Sequence, residues 1–126
     1  MIVEDFRESA EPGNEAELVS FLMRRYGSGV NSFWLSHDKY PAMSILVNGD
    51  LSSLIYFPHK RHPGFRSVGR YKNLKPGGTT VFYLDSINQQ QPMINDSIVS
   101  FETSLKVARE FYNSNVLPPS IEWFEL

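Results

Sequence analysis

Cysteine is absent from this 126-residue chain. That removes structural disulfides, thiolate zinc sites and a cysteine nucleophile together. Long apolar runs are missing too, since nothing approaches the roughly 20 residues that a membrane-spanning helix needs. The opening, Met1-Ile2-Val3-Glu4-Asp5, is acidic where a secretory signal requires cations and then an apolar stretch. The expectation is a chain that begins at Met1 in the cytosol, a reducing compartment to which the lack of cysteine is suited. Phosphate-binding patterns are lacking as well. Gly64, Gly69 and the run Pro76-Gly77-Gly78 are too sparse for a glycine-rich cradle that opens onto a helix. Gly27-Ser28-Gly29 precedes a strand-like segment, whereas a nucleophile elbow needs a helix to follow.

What the chain does contain is ordinary globular material, 41% hydrophobic and 21% charged, which argues against disorder. Its length suits one domain over residues 1–126, large enough to bury a core without covalent staples. Nine Phe, six Tyr and two Trp demand cover from a core or from a partner. The net charge of −2 conceals an asymmetry. Residues 51–84 carry Lys60, Arg61, Arg66, Arg70, Lys72 and Lys75 and no acid, while all 14 acids lie elsewhere beside the remaining cations. The molecule is an acidic body with a basic central segment.

Asn14-Glu15-Ala16-Glu17 has the form of a capping box. Leu18, Phe21, Leu22 and Tyr26 follow at helical spacing and Gly27 can end the helix, so a first helix is expected over about 15–26. Strands are expected at Ser32–Ser36, at Ala42–Val47 with Met43, Ile45 and Val47 on one face, and at Leu51–Phe57. Asn48-Gly49 between the last two marks a hairpin of type I′. Phe65–Val68 can pair next, and Thr79–Leu84 reads as a central strand with both faces at least partly covered. Ser100 can cap a second helix whose stripe is Phe101, Leu105, Ala108 and Tyr112. Pro118-Pro119 forbids its continuation, and Ile121–Phe124 can add a short strand. The fold class expected is α+β, an antiparallel sheet of about five strands with an N-terminal and a C-terminal helix packed on it.

Chemistry is harder to find. His59 and His62 are three apart, but Lys60 and Arg61 stand between them and no acid is near in sequence to offset a divalent metal's charge. No metal and no cofactor is expected. His37-Asp38 has the types a hydrolase borrows, yet a turn shaped by Asp38 accounts for the pair. No catalytic residue is assigned. The basic segment 59–75, with Phe65 and Tyr71 among its cations, could pair phosphates and stack bases as a small nucleic-acid-binding or adaptor domain. The acidic remainder and a pI near 5.9 oppose that reading.

The run Phe65-Arg66-Ser67-Val68-Gly69, the strand Thr80-Val81-Phe82-Tyr83, the helix Leu105 to Tyr112 and the ending Pro118-Pro119-Ser120-Ile121-Glu122-Trp123 resemble immunity protein family one of bacterial polymorphic toxin systems. The likeness extends forward to Phe33-Trp34-Leu35 and to the hairpin from Tyr40-Pro41 to Tyr56. It implies a cytosolic antitoxin, no enzyme, that binds a cognate toxin, often a nucleic-acid deaminase, and occludes its active site. The family supplies no catalytic residue to carry over. One departure is the long basic stretch between Pro58 and Gly78.

A toxin that acts on nucleic acid presents a basic cleft, and an acidic inhibitor is steered toward it. The toxin-binding residues expected on this ground are Asp38, Tyr40, Asp50, Asp85, Glu122 and Glu125. The alternative site is the loop carrying His59, Arg61, Phe65 and Arg66, whose charge suits an acidic partner surface.

Overall fold

A computed structural model describes the chain from Met1 to Leu126. Its elements run β1 (Ile2–Glu4), β2 (Ser9–Ala10), α1 (Glu15–Leu22), β3 (Val30–Ser36), β4 (Ala42–Asn48), β5 (Leu51–Phe57), β6 (Phe65–Ser67), β7 (Thr79–Tyr83), β8 (Gln90–Ile94), β9 (Ile98–Ser100), α2 (Phe101–Ser114) and β10 (Trp123–Glu125). The α+β class stands. The main sheet, however, has eight strands rather than about five, in the order β10-β6-β5-β4-β3-β1-β2, with β9 also on β5. Nor are the helices terminal, because β1 and β2 precede the first and β10 follows the second. The extra strands are two or three residues long, too short to show a period of two in the sequence.

The outer edge of β5 is shared. Leu51–Ser53 pairs with β9, and Ile55–Tyr56 pairs with β6. Where the two neighbours part, Ser67 Oγ accepts the Leu54 N–H at 3.0 Å and donates to the Ser97 carbonyl at 2.6 Å. Buried serines thus satisfy backbone groups that a continuous ladder would have paired. Gly69 passes so close to the Ile98 carbonyl that a Cβ there would overlap it. Only glycine fits.

Both helices cover one face of the sheet. Met43, Ile45 and Val47 of β4 point there, as the alternation requires, and meet Leu18, Phe21 and Leu22 of α1 and Val107, Ala108 and Phe111 of α2. The Asn14 side chain caps α1 by accepting from the Glu17 N–H at 2.9 Å, but the Glu17 carboxylate returns to Gly13. The helix stops at Leu22, not 26, because the side chains of Arg25 and Asn31 take the carbonyls of Leu22 and Arg24, and Tyr26 turns to bridge Val30. In α2 the fully covered residues are Ser104, Val107, Ala108 and Phe111, while Phe101, Leu105 and Tyr112 flank them. The stripe is rotated by about one position from the expected one. The hairpin between β4 and β5 is present with Asn48 opposite Leu51. Of its two central residues only Gly49 has a positive φ, at 60°, which is the pattern of a II′ rather than an I′ turn.

The other face is only half covered. Strand β7 pairs with β8 alone, so it is no central strand. This two-stranded ribbon lies across the sheet and plants Phe82, 0% exposed, between Leu46 and Ile98. Asn48 Nδ2 donates to the Val81 carbonyl at 3.0 Å, and Ser32 Oγ accepts from the Asp85 N–H at 3.3 Å. No helix is long and apolar enough to cross a membrane.

Candidate functional site

The half of the sheet that the ribbon leaves open carries rings. On β4 the side chains facing this way are Ala42 and Ser44, opposite Phe57 and Trp34 respectively. Because both are small, Trp34 and Phe57 lean together over β4, their centroids 5.3 Å apart, and Ala42 beneath is fully buried. The register aligns one row across six strands, Glu4, Trp34, Ser44, Ile55, Arg66 and Phe124. At the β10 end of this row the Arg66 guanidinium stacks on Phe124 at 4.8 Å, and Phe124 remains 53% exposed. Toward the opposite edge the row carries an exposed carboxylate, Glu4, which pairs onward with Ser9 of β2.

Two depressions flank Trp34. The larger, of about 580 Å³, is lined by Ile2, Glu4, Trp34, Ser36, the turn His37–Tyr40 and Lys60. The smaller, of about 70 Å³, joins Trp34 and Glu4 to Asp5, Leu84 and Asp85 at the ribbon's turn. Asp85 sits at φ 61°, a left-handed position that aspartate tolerates better than most residues. Burial pushes the Asp5 carboxyl upward, but hydrogen bonds from the Arg7 and Glu8 N–H groups, Asn31 and Tyr26 outweigh it and hold the pKa below the ordinary value. Asp5 is therefore ionised and engaged within the fold. Glu4 and Asp85 stay exposed beside Trp34.

The expected acidic residues do not converge on one rim. Asp38 and Tyr40 stand at the larger depression, with Tyr40 38% exposed, and Asp85 borders the smaller one. Asp50 lies at the far end of β4, seven residues away along the strand or roughly 20 Å. Its backbone carbonyl accepts from the Phe101 N–H. Glu122 and Glu125 face the basic segment: Arg70 is 3.4 Å from Glu122, and His62 Nε2 is 2.7 Å from Glu125. Since His62 Nδ1 accepts the Gly64 N–H at 2.8 Å, the ring proton sits on Nε2 and is donated to Glu125.

The alternative loop is less free than its composition suggests. Phe65 turns inward, stacked on His62 at 4.9 Å and packed against the helix-side core. Arg66 points to the open face and is stacked on Phe124. His59 packs edge-on to His62 at 5.5 Å, and Arg61 is exposed. Gly64 rests directly on Ile55 and Phe57, so this segment forms one margin of the open face. Lys60 brings it to the same depression as Asp38 and Tyr40. The two sites read separately from the sequence are neighbours.

No three or more His, Asp or Glu side chains gather as a metal ion would require. Trp34, Phe57 and Glu4 were missed as site residues. The signal available for them was the face of β4 bearing Ala42 and Ser44, since small residues on a strand leave room for a neighbour's ring.

No protein-family model matches the chain. It is 28% identical over 128 residues, covering the whole of both chains, to the double-stranded DNA deaminase immunity protein of Burkholderia cenocepacia (strain H111). The resemblance to a polymorphic-toxin immunity protein, read first from the residues, thus holds along the full length of the chain.

Proposed function

We propose that this chain is an immunity protein that binds a cognate bacterial toxin in the cytosol of the producing cell and neutralises it by occluding its active site. The observation that carries this reading is the end-to-end similarity to a deaminase immunity protein. It also suggests the reaction to be blocked, deamination of a nucleic-acid base by the toxin's catalytic domain. The chain's own role is stoichiometric binding and not catalysis. The structure supports such a role with a half-open sheet face whose rings, Trp34, Phe57 and Phe124, are placed as anchors. Rings of this kind dominate binding energy when a partner dries them.

The test is co-expression with the toxin domain encoded beside this chain's gene. Growth is rescued and the two proteins copurify as a complex if the reading is right. Toxicity that persists despite soluble, folded immunity protein overturns it. A nucleic-acid-binding role through residues 59–75 predicts instead salt-dependent binding to DNA or RNA by the chain alone. Pairing of Arg70 with Glu122 already occupies part of that segment's charge.

A further inference from the structure

We infer that the toxin docks on the open sheet face at Trp34, where a basic loop of its nucleic-acid cleft stacks a cation on the indole and pairs it with Glu4 and Asp85. This rests on the immunity reading and adds to it a surface and a partner chemistry. Three observations carry it. The indole is partly exposed on the half of the face that the ribbon leaves open, and it borders both depressions there. The carboxylates beside it differ in availability: Asp5 is held by four hydrogen bonds within the fold, while Glu4 and Asp85 are exposed. The same sheet face already shows the recognition geometry at its other end, where Arg66 lies on Phe124.

Charge complementarity selects the occupant. A domain that acts on a polyanion lines its cleft with Arg and Lys, and these favour an aromatic flanked by carboxylates. Lys39 and Lys60 line the larger depression together with Glu4, and their repulsion then fixes direction. The incoming cations lie on the β1 and ribbon side, away from the 58–64 segment.

The experiment measures binding of the purified neighbouring toxin domain to the full chain and its variants at low and at physiological salt. Trp34→Ala weakens binding by about 30-fold or more, the range of an aromatic anchor, and Trp34→Phe restores part of it. Glu4→Lys and Asp85→Asn each lower the association rate by about threefold to tenfold at low salt and flatten its salt dependence. Asp85→Asn keeps a residue that tolerates the left-handed backbone. Asp50→Lys, at the opposite end of β4 and off this surface, changes affinity by less than about twofold. Should Trp34→Ala fail to fold, Glu4→Lys and Asp85→Asn decide alone. Wild-type affinity in these variants, with loss in Asp50→Lys or Arg61→Glu, overturns the surface and leaves the immunity reading standing. Failure of the wild-type chain to bind the toxin overturns both.

Discussion

Phe82→Ala is expected to release the β7–β8 ribbon before the rest of the molecule unfolds. Phe82 is fully buried, and only Leu46 and Ile98 share its cluster as buried residues. Truncating a buried Phe costs about 3–5 kcal/mol. Here the lower end applies, because the partly buried Leu51, Tyr71, Leu74, Leu84 and Met93 around it can close in. What then remains to hold the ribbon is the partial packing of Leu84 and Met93 and the Asn48 and Ser32 hydrogen bonds, each bond contributing about 1 kcal/mol. A two-stranded ribbon has little stability of its own in water. Hydrogen exchange of the β7 and β8 amides should therefore accelerate toward that of a loop, while amides of β3, β4 and β5 stay protected. Denaturant titration supplies the overall loss. Val81→Ala, on the outward face at 37% exposure, serves as the control and should cost no more than about 0.5 kcal/mol. A loss below about 1 kcal/mol in Phe82→Ala, with ribbon amides still protected, would refute the view that one ring latches the ribbon.

Phe111→Ala should cost about 3–5 kcal/mol and Leu105→Ala only about 1–2, by denaturant midpoints, because Phe111 is fully covered and Leu105 sits at the margin of the helix face. Equal losses would return the α2 stripe to the position expected from the sequence. Gly69→Ala should lose about 3 kcal/mol or more, at or beyond the upper end of ordinary overpacking, since its Cβ meets the Ile98 backbone and no flexible side chain; thermal melting checks this. Asp5, with a folded pKa below its usual 3.8, contributes stability that is fully present above that value and is lost as pH falls through the depressed one. The stability gap between the natural chain and Asp5→Asn should hence be constant from about pH 5 to 7 and shrink below about pH 4. A gap that widens on acidification would contradict the assignment.

The three long strands and both helices were legible, the helices and β4 from their periods, β3 from its apolar run and β5 from the turn before it. Ala42–Val47 alternates cleanly, Leu51–Phe57 returns after a glycine turn, and Ser100 caps α2 as expected, accepting from the Thr103 N–H. β8 was not legible. Its sequence Gln90-Gln91-Pro92-Met93-Ile94 is polar and contains a proline, which reads as a loop. It is a strand only because β7 lies opposite it, and β7 in turn is latched across the main sheet by Phe82. Of the two faces of β7 expected to be at least partly covered, only the one that carries Phe82 is; Thr79 and Val81 on the other are exposed. Apolar residues on both faces suggest membership of the main sheet, but a ribbon laid on top is covered only from below.

The scatter of the acidic residues follows from the hairpins themselves. In an antiparallel meander successive turns alternate between the two ends of the sheet, so the β3–β4 turn with Asp38 and the β4–β5 turn with Asp50 stand at opposite ends. The hairpin at Asn48-Gly49 and the turn at Asp38, both expected from the sequence, already imply that separation. Proximity in a sheet is set by register, which joins one residue from each strand along a row perpendicular to the chain. Reading across β1, β3, β4, β5, β6 and β10 in this way collects Glu4, Trp34, Ser44, Ile55, Arg66 and Phe124, residues up to 120 positions apart in sequence. No window along the chain contains that row. It comes into being only when β1 and β10, too short to announce themselves, take their places on either side of the hairpins.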